Sequence, residues 1–239
     1  MRRLWIALAI FGAAACSVRD AACGRPVSGG HPPTPDQVAA AQNETNAPQH
    51  FTIVFLGDSL TAGLGLLSEE AYPVLIGRKF AEEGYSNVDV VNAGISGDTT
   101  AGGLQRVEGA LESDVRIVVV ALGGNDALRG LPVSQTKENL EKIIETVIAH
   151  KAMVLLAGME APTNLGEDYQ QGFHAAFTQV ARAYRDRVVF MPFLLDGVAG
   201  NPELNQTDGI HPNTQGAIKI AENMYPKLRL MVDQMGGGS

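Results

Sequence analysis

The stretch Ile117-Val118-Val119-Val120-Ala121-Leu122 is apolar at every position and lacks the alternation of a half-exposed strand. A short run of this kind is typical of a strand that is covered on both faces, as in a parallel sheet. Four similar runs accompany it, at residues 51–56, 88–92, 152–158 and 188–193. We therefore expect these runs to form the buried strands of one sheet.

Helical patterns separate the apolar runs, at residues 70–83, 100–111, 134–150 and 168–185, and a last one starts near Asn213. Pro226 is expected to kink or end this last helix, because proline has no N–H to donate and its ring clashes with the preceding turn. Strands that alternate with helices indicate a parallel sheet with right-handed crossovers and helices on both faces. The prediction is a three-layer α/β/α, flavodoxin-like fold with a five-stranded parallel sheet in the order 2-1-3-4-5.

The first residues have the layout of a secretory signal peptide, with a basic start at Met1-Arg2-Arg3 and an apolar run from Leu4 to Ala15. The run is too short to cross a bilayer as a helix. Residues 1–16 are therefore expected to direct export; a buried N-terminal helix is the weaker alternative. Ala13-Ala14-Ala15-Cys16 is also similar to the lipobox of bacterial lipoproteins, with Ala13 where leucine is usual. Lipid attachment at Cys16 and cleavage by an ordinary signal peptidase both fit, so we expect a periplasmic or envelope-anchored bacterial protein.

Residues 17–49 are rich in alanine, proline, glycine, asparagine and glutamine. Such a segment cannot bury enough surface to offset its ordering entropy, so we expect a flexible tether ahead of one domain at residues 50–235. The formal charge of −8 and the lack of a basic stripe argue against nucleic-acid binding. Both cysteines, Cys16 and Cys23, precede the domain, which therefore has no disulfide or zinc cluster. We expect a monomer that needs no metal or cofactor and that touches a membrane only through a lipid anchor.

Polar motifs follow three of the predicted strands, and a fourth lies in the long loop after the last. They are Gly57-Asp58-Ser59-Leu60, Asn92-Ala93-Gly94-Ile95-Ser96-Gly97-Asp98, Gly123-Gly124-Asn125-Asp126 and Asp208-Gly209-Ile210-His211. In open parallel sheets, ligands bind beyond the carboxyl ends of the strands. We expect the four motifs to meet at one edge of the sheet and to form a site there.

Ser59 and His211 are the central pair of this predicted site. A serine hydroxyl is a poor nucleophile until a positioned imidazole takes its proton. Asp208 and His211 share a tight turn, so the carboxylate can accept from one ring nitrogen while the other nitrogen faces the nucleophile. Taken alone, the motifs also fit ordinary structure, with Asp58, Ser59 and Asp208 as capping residues. The other histidines precede the core or fall within helical patterns: His31, His50, His150 and His174.

Gly94 and Asn125 are candidate donors to an oxyanion. Gly94 has no Cβ, so its backbone N–H can approach a ligand closely. Asn125 follows two glycines and can point its amide into the same place. Such donors are typically worth about 3–4 kcal/mol each of transition-state stabilisation. For residues 123–126 an ordinary glycine and asparagine turn is the alternative.

Together, the four motifs resemble in order the four sequence blocks of the SGNH (GDSL) hydrolases, over residues 51–230. Within that superfamily, residues 95–100 and 122–130 look most like the bacterial arylesterases and the multifunctional thioesterase/lysophospholipases. The resemblance implies Ser59 as nucleophile, with Asp208 and His211 completing the triad. It also implies the N–H groups of Ser59 and Gly94 and the Asn125 side chain as oxyanion donors. The implied reaction is hydrolysis of carboxylic esters, and also of thioesters, through an acyl-serine intermediate.

Four apolar residues are candidates for substrate binding: Leu128, Leu131, Pro162 and Ile210. They lie in the loops expected to border the site, and they suit an acyl chain of short or medium length. Outside the cytoplasm, lysophospholipids, aryl esters and short acyl esters are the expected small-molecule substrates. Two alternatives stay open: a carbohydrate O-deacetylase, which needs a polar cleft with aromatic platforms, and a non-catalytic ligand-binding surface protein. Nucleotide binding is disfavoured because no phosphate loop follows the first strand.

Overall fold

The computed structural model describes residues 50–112 and 114–236, and only the backbone of Phe51. The predicted signal peptide at residues 1–16, the predicted lipid attachment at Cys16 and the predicted tether at residues 17–49 lie outside the described residues. Within the described ranges, the structure contains no helix with the length and apolar character that crossing a membrane requires.

Five strands run parallel to one another in a single sheet. They are β1 (Phe51–Gly57), β2 (Val88–Gly94), β3 (Val115–Ala121), β4 (Met153–Ala157) and β5 (Val188–Met191). Their order across the sheet is β2-β1-β3-β4-β5, which confirms the predicted flavodoxin-like order. Gly57 at the end of β1 pairs with Gly94 of β2 and with Ala121 of β3. The carboxyl ends of these three strands are therefore level, and the loops that follow them start side by side.

The α-helices in the described part of the chain are α1 (Ser59–Ala62), α2 (Tyr72–Glu82), α3 (Thr100–Arg106), α4 (Gly124–Leu128), α5 (Val133–Ala149), α6 (Glu167–Ala183) and α7 (Thr214–Gln234). Short 3₁₀ turns cover Ser68–Glu70, Glu108–Ala110 and Thr163–Leu165. Helix α2 packs against α7, and α5 packs against α3 and α6. The two groups cover the sheet and give the predicted three layers.

The centre of the core is β3. Its residues from Ile117 to Ala121, and Leu122 after them, are at most 1% exposed. The strand is therefore covered on both faces, as its unbroken apolar run predicted. Burial of each isoleucine, valine or leucine side chain here contributes roughly 1.5–3 kcal/mol relative to exposure, so this strand holds the middle of the sheet that carries the site.

Pro226 lies inside α7, which continues to Gln234. The prediction that this proline ends the helix is therefore wrong, and the alternative of a kink stays a prediction. Met224, Leu228 and Met231 are buried on both sides of the proline. This packing outweighs the penalty of roughly 3 kcal/mol that proline imposes in a helix interior.

Candidate active site

Ser59 is the first residue of α1, directly beyond the carboxyl end of β1. The Asp58 side chain caps this helix by accepting a hydrogen bond from the Leu60 N–H at 3.0 Å. The turn between strand and helix is tight, since a Cβ on Gly57 would lie 1.9 Å from the hydroxyl oxygen of Thr61. The chain changes from strand to helix within three residues, and this change presents the Ser59 side chain at the edge of the sheet.

The Ser59 Oγ lies 2.9 Å from the His211 Nε2, although 152 positions separate the two residues in sequence. On the other side of the ring, the His211 Nδ1 lies 2.7 Å from the Asp208 Oδ2. An Nδ1–H that donates to the carboxylate leaves Nε2 to accept from the serine hydroxyl. The two contacts are thus compatible with one tautomer of the imidazole, and they form a continuous chain from hydroxyl to carboxylate.

Asp208 is held by the turn to which it belongs. Its Oδ1 accepts hydrogen bonds from the N–H groups of Ile210 and His211, at 2.9 and 3.0 Å. Gly209, between Asp208 and Ile210, has a φ of +71°, which residues with a Cβ rarely adopt. The N–H groups of His211 and Ile210, followed by the His211 ring, lower the pKa of Asp208 to about 2. The carboxylate is therefore ionised at neutral pH.

Gln206 joins the Asp208–His211 turn to the segment after α1. Its backbone N–H donates to the His211 carbonyl at 2.7 Å. Its side-chain amide donates to the carbonyls of Leu64, at 2.7 Å, and Pro212, at 2.9 Å. Because Leu64 follows the end of α1, these bonds connect the loop of the histidine to that of the serine. Nothing in the sequence indicated that Gln206 links the two loops, apart from its position two residues before Asp208.

Gly94 ends β2 against the first turn of α1. The two backbones are so close that a Cβ on Gly94 would lie 2.3 Å from the Ala62 nitrogen, which explains the glycine. The Gly94 N–H donates to the Asn92 Oδ1 at 3.0 Å, and the Asn92 Nδ2 donates to the Thr61 carbonyl at 2.8 Å. In this structure the Gly94 N–H therefore already has an acceptor within the protein.

Asn125 lies in α4, a short helix that the sequence analysis did not predict. The helix starts after Gly123, whose φ of +115° is accessible to glycine. The Asn125 Nδ2 donates to the Asp98 carbonyl at 2.9 Å and to the Asp58 Oδ2 at 3.2 Å. The structure thus brings the amide next to the residue that precedes Ser59, with both of its N–H groups engaged.

Asp126 anchors α4 in the protein interior. It is 1% exposed, and its carboxylate accepts hydrogen bonds from the Thr100 N–H and from the hydroxyls of Thr100 and Thr136. Asn139 completes the network by donating to the Thr100 hydroxyl at 3.1 Å. Because Thr100 belongs to α3 and Thr136 to α5, this network ties α4 to two longer helices. The sequence analysis included Asp126 in a motif but gave it no role.

Arg106 on α3 joins the first two motif loops. Its guanidinium donates to the Gly57 carbonyl at 2.8 Å, to the Ala93 carbonyl at 2.7 Å and to the Asp98 Oδ2 at 2.7 Å. One side chain thereby holds the carboxyl ends of β1 and β2, together with the residue whose carbonyl accepts from Asn125. Sequence reasoning missed Arg106, because nothing in a helical pattern distinguishes an inward arginine from a solvated one.

Asp58 is the buried charge of the site. The residue is 1% exposed, and burial raises the pKa of Asp58 to about 6, although the Leu60 N–H, the charge of His211 and the Asn125 amide oppose this shift. The carboxylate accepts from both Leu60 and Asn125. It therefore acts as a brace between α1 and α4 as well as a helix cap.

A cleft of about 510 Å³ opens beside Ser59 and His211. Much of its wall is apolar, with contributions from Leu128, Met159, Pro162, Phe193, Leu195 and Ile210. Leu64, Leu128 and Ile210 also remain about half exposed, at 47%, 55% and 47%. Another groove, of about 530 Å³, lies beside Val54, Val91 and Arg106 and is not lined by Ser59 or His211.

Three of the four candidate substrate-binding residues, Leu128, Pro162 and Ile210, line this cleft. Leu131 is not among its described lining residues; its N–H donates to the Asp126 carbonyl and its own carbonyl accepts from the Tyr169 hydroxyl. Among residues 50–112 and 114–236, no group of three or more His, Cys, Asp or Glu side chains is placed to hold a metal ion.

In this parallel α/β fold, hydrogen bonds link a serine to a histidine and the histidine to an aspartate at the carboxyl edge of the sheet. This is the architecture of a serine hydrolase. The chain belongs to the GDSL-like Lipase/Acylhydrolase family, whose model matches residues 55–217. This match confirms the resemblance to the SGNH (GDSL) hydrolases, and the chain is an enzyme of that class.

Two curated relatives share most of their length with this chain. Esterase TesA of Pseudomonas aeruginosa strain PAO1 is 40% identical over 179 residues, which cover 74% of this chain and 88% of the relative. Thioesterase 1/protease 1/lysophospholipase L1 of Escherichia coli strain K12 is 38% identical over 183 residues, which cover 76% and 85%.

Solved structures of similar chains have the same fold. The crystal structure of TesA matches with a TM-score of 0.70 and 39% identity, over 75% of this chain and 98% of that one. The psychrotrophic esterase EstA from Pseudoalteromonas sp. matches with a TM-score of 0.70 and 34% identity, over 76% and 98%. The chain is therefore similar to esterases in both sequence and fold.

Proposed function

We propose that this chain is an exported serine esterase in which Ser59 attacks the carbonyl carbon of a carboxylic ester. One observation carries the assignment of roles, namely the unbroken path from the Ser59 Oγ to the His211 Nε2, at 2.9 Å, and from the His211 Nδ1 to the Asp208 Oδ2, at 2.7 Å. In this arrangement the imidazole takes the serine proton and the carboxylate stabilises the imidazolium that forms.

The reaction proceeds in two halves. In the first, the Ser59 Oγ bonds to the carbonyl carbon while its proton passes to the His211 Nε2, and the tetrahedral intermediate then expels the alkoxide, or the thiolate of a thioester. The Nε2–H protonates that leaving group, and the acyl group stays on Ser59. In the second half, a water molecule gives a proton to Nε2 as its oxygen bonds to the acyl carbon. The bond from that carbon to the Ser59 Oγ then breaks, Nε2 returns the proton to Oγ, and the acid leaves.

Three donors surround the position of the oxyanion in this proposal: the N–H groups of Ser59 and Gly94 and the Asn125 amide. In this structure the Gly94 N–H donates to Asn92, and the Asn125 amide donates to Asp58 and Asp98. The developing oxyanion must therefore share or take over two of these hydrogens. The longer contact, 3.2 Å from Asn125 to Asp58, is the one that exchanges most easily.

The cleft supports an acyl substrate of short or medium length. Its volume of about 510 Å³ and its apolar wall, to which Leu128, Pro162 and Ile210 contribute, suit a hydrocarbon chain. We propose aryl esters, short or medium acyl esters and lysophospholipids as substrates, and acyl thioesters in addition. The names of the curated relatives support this range. A carbohydrate O-deacetylase is less well supported, because it needs aromatic platforms and the described lining contains Phe193 but no tyrosine or tryptophan.

We also propose how the chain is organised and where it acts. Residues 1–16 direct export, residues 17–49 tether the domain of residues 50–235, and the protein works as a monomer in the periplasm or anchored to the envelope through a lipid on Cys16. Mass spectrometry of the mature N-terminus from the native host separates the two locations. A diacylated N-terminal cysteine indicates the anchor, whereas an unmodified terminus indicates a free periplasmic enzyme.

Two assays on the purified domain test the function: hydrolysis of p-nitrophenyl butyrate and labelling by a fluorophosphonate probe. We expect turnover and a single label in the wild type, and loss of both in Ser59→Ala. The exposed Ser68 provides the matched control, and Ser68→Ala should keep both. A folded wild-type protein that neither turns over the ester nor takes the label would contradict the proposed esterase function and favour the non-catalytic alternative.

A further inference from the structure

We propose that Glu160 makes the cleft selective for substrate charge, so that esters with a cationic group near the scissile bond are hydrolysed in preference to those with an anionic group. The inference rests on the proposed esterase function and specifies which substrates that same site accepts. The favoured class comprises esters of ammonium-bearing alcohols and phenols. The disfavoured class comprises esters and thioesters of anionic carriers.

Glu160 belongs to the wall of the cleft that contains Ser59 and His211. It lies in the segment after β4, between Met159 and Ala161, which are only 3% and 7% exposed. These buried neighbours hold the backbone on both sides of Glu160. The Glu160 side chain itself is 39% exposed. The side chain is therefore accessible to solvent, and the residue belongs to the wall along which a substrate would lie.

Contacts with α6 hold the carboxylate in place. The His174 Nδ1 lies 2.7 Å from the Glu160 Oε1. The Gln170 amide, one turn earlier on α6, donates to the Ala161 carbonyl at 3.2 Å. The hydrogen bond from His174 engages one carboxylate oxygen and restricts the rotamers of the side chain. Glu160 thus presents its charge from a defined position rather than as a freely rotating surface group.

The other charges around the cleft leave Glu160 as the exposed anionic group of the described lining. Asp58 also lines the cleft, but it is 1% exposed and accepts hydrogen bonds from Leu60 and Asn125. Asp208 is not among the described lining residues of the cleft. Arg129 donates to the carbonyl of Gly97, a lining residue in the loop after β2, whereas Glu160 follows β4. His174, which contacts the Glu160 carboxylate, is a cation only when it is protonated. A substrate group that extends along the β4 wall therefore meets a negative charge.

Long-range electrostatics act in the same direction. The chain carries a formal charge of −8, so anionic substrates are repelled before they reach the cleft. Close to the site, a unit charge about 8–10 Å from a half-exposed carboxylate changes kcat/KM by roughly twofold to fivefold at low ionic strength. Attraction of a cation and repulsion of an anion combine in the ratio of the two rates, and Glu160 should therefore change that ratio by about fivefold or more.

Three butyrate esters that differ only in the substituent of the leaving phenol measure this ratio. The phenols are 3-(trimethylammonio)phenol, which is cationic, 3-(hydroxymethyl)phenol, which is neutral, and 3-hydroxybenzoate, which is anionic. The measured quantity is the cation-to-anion ratio of kcat/KM for one enzyme preparation at low salt. Because both rates come from the same preparation, a partly unfolded variant gives the same ratio as a fully folded one. Comparison of a variant with the wild type also cancels the intrinsic reactivity of each ester.

We expect Glu160→Gln to lower the cation-to-anion ratio by about fivefold relative to the wild type. The matched control is Glu138→Gln, which removes the same charge from α5, where Glu138 is exposed and bonded to Lys142. This control should keep the wild-type ratio. In 1 M NaCl, where the Debye length is only about 3 Å, the difference between the wild type and Glu160→Gln should largely disappear.

A Glu160→Gln ratio equal to or above that of the wild type would overturn the inference, as would an equal fall of the ratio in Glu138→Gln. Either result leaves the proposed function intact provided that the wild type hydrolyses the neutral ester. A wild-type enzyme that fails to hydrolyse the neutral ester contradicts the proposed function, and the charge selectivity with it.

Discussion

The Asn125 amide donates to the carboxylate of Asp58 across 3.2 Å, so the residue before Ser59 also holds the side chain proposed to bind the oxyanion. The same carboxylate caps α1 through the Leu60 N–H at 3.0 Å. The buried Asp58 carboxylate therefore fixes both the start of α1 and the orientation of the Asn125 amide on α4. The arrangement places an ionisable brace, rather than a neutral one, at the centre of the site.

The ionisation of Asp58 should make stability depend on pH. Burial raises the pKa of Asp58 to about 6, against an ordinary value of 3.8, so the folded chain binds this proton more tightly than the unfolded chain does. The free energy of unfolding should therefore fall as the pH rises from about 4 to about 6, by an amount on the order of 2–3 kcal/mol from this group. Asp58→Asn cannot ionise and should escape this loss.

Urea unfolding of the wild type and Asp58→Asn at pH 4 and at pH 7 measures the effect. The difference in stability, variant minus wild type, should become more favourable to the variant by about 2–3 kcal/mol at the higher pH. Other carboxyl groups affect both proteins alike and cancel in this difference. A difference that is constant between the two pH values would mean that Asp58 titrates normally.

Removal of the Asn125 amide should slow the chemical step. We expect Asn125→Ala to lower kcat by about 10²- to 10³-fold with little change in KM, because an oxyanion donor acts in the transition state rather than on the bound substrate. Steady-state kinetics with p-nitrophenyl butyrate separate the two constants. Gln171→Ala, which removes an amide on α6 that is bonded to Glu167, serves as the control. An unchanged kcat in Asn125→Ala would remove Asn125 from the oxyanion site.

The three hydrogen bonds of Arg106 should matter for both stability and rate. Arg106→Met removes donors to the Gly57 and Ala93 carbonyls and the partner of Asp98. The partly buried Ala93 carbonyl and Asp98 carboxylate lose this charged donor, and the Gly57 carbonyl keeps only the Ile95 N–H, so we expect a loss of about 2–4 kcal/mol in the free energy of unfolding. We also expect a lower kcat, because the loops of Ser59 and Gly94 lose their common support. Chemical unfolding and kinetics check both effects. Arg78→Met, at an exposed arginine, should behave like the wild type.

Acyl-chain selectivity should depend on Leu128 and not on Leu131. Leu128 lines the cleft and Leu131 does not belong to its described lining. Each methylene buried on binding contributes about 0.8 kcal/mol, so loss of one apolar wall residue should lower the octanoate-to-acetate ratio of kcat/KM by about threefold to tenfold. We expect this change in Leu128→Ser, measured on p-nitrophenyl esters, and an unchanged ratio in Leu131→Ser. Equal changes in both variants would contradict the assigned acyl path.

The sequence predicted the strand order and the loops of the site because both depend on patterns within short segments. The unbroken run at Ile117–Leu122 indicated a buried strand, and alternation of strand and helix limited the topology to a few choices. Motifs directly after strands had to lie at the carboxyl edge. Ser59, Gly94 and Asn125 therefore could be proposed as neighbours although their loops are far apart in sequence. His211, in the long loop after the last strand, could be added because it shares a tight turn with Asp208.

Contacts between those loops could not be predicted in the same way. Arg106, Gln206 and Asp126 act through partners whose closeness depends on helix rotation and strand register, neither of which a local pattern determines. Of the two outcomes expected for Pro226, a kink or an end of the last helix, the end was wrong, because burial of residues on both sides of this proline outweighs its local penalty. Tertiary packing decided each of these cases.

The central claim is that the acyl group is carried on Ser59, and the most direct measurement is peptide mapping of the enzyme quenched in acid during turnover. With p-nitrophenyl butyrate as substrate, mass spectrometry should find a butyryl group on the peptide that contains Ser59 and on no other peptide. In Ser59→Ala the modification should be absent. A butyryl group on a different residue, or rapid turnover with no acylated peptide at any time point, would contradict the account.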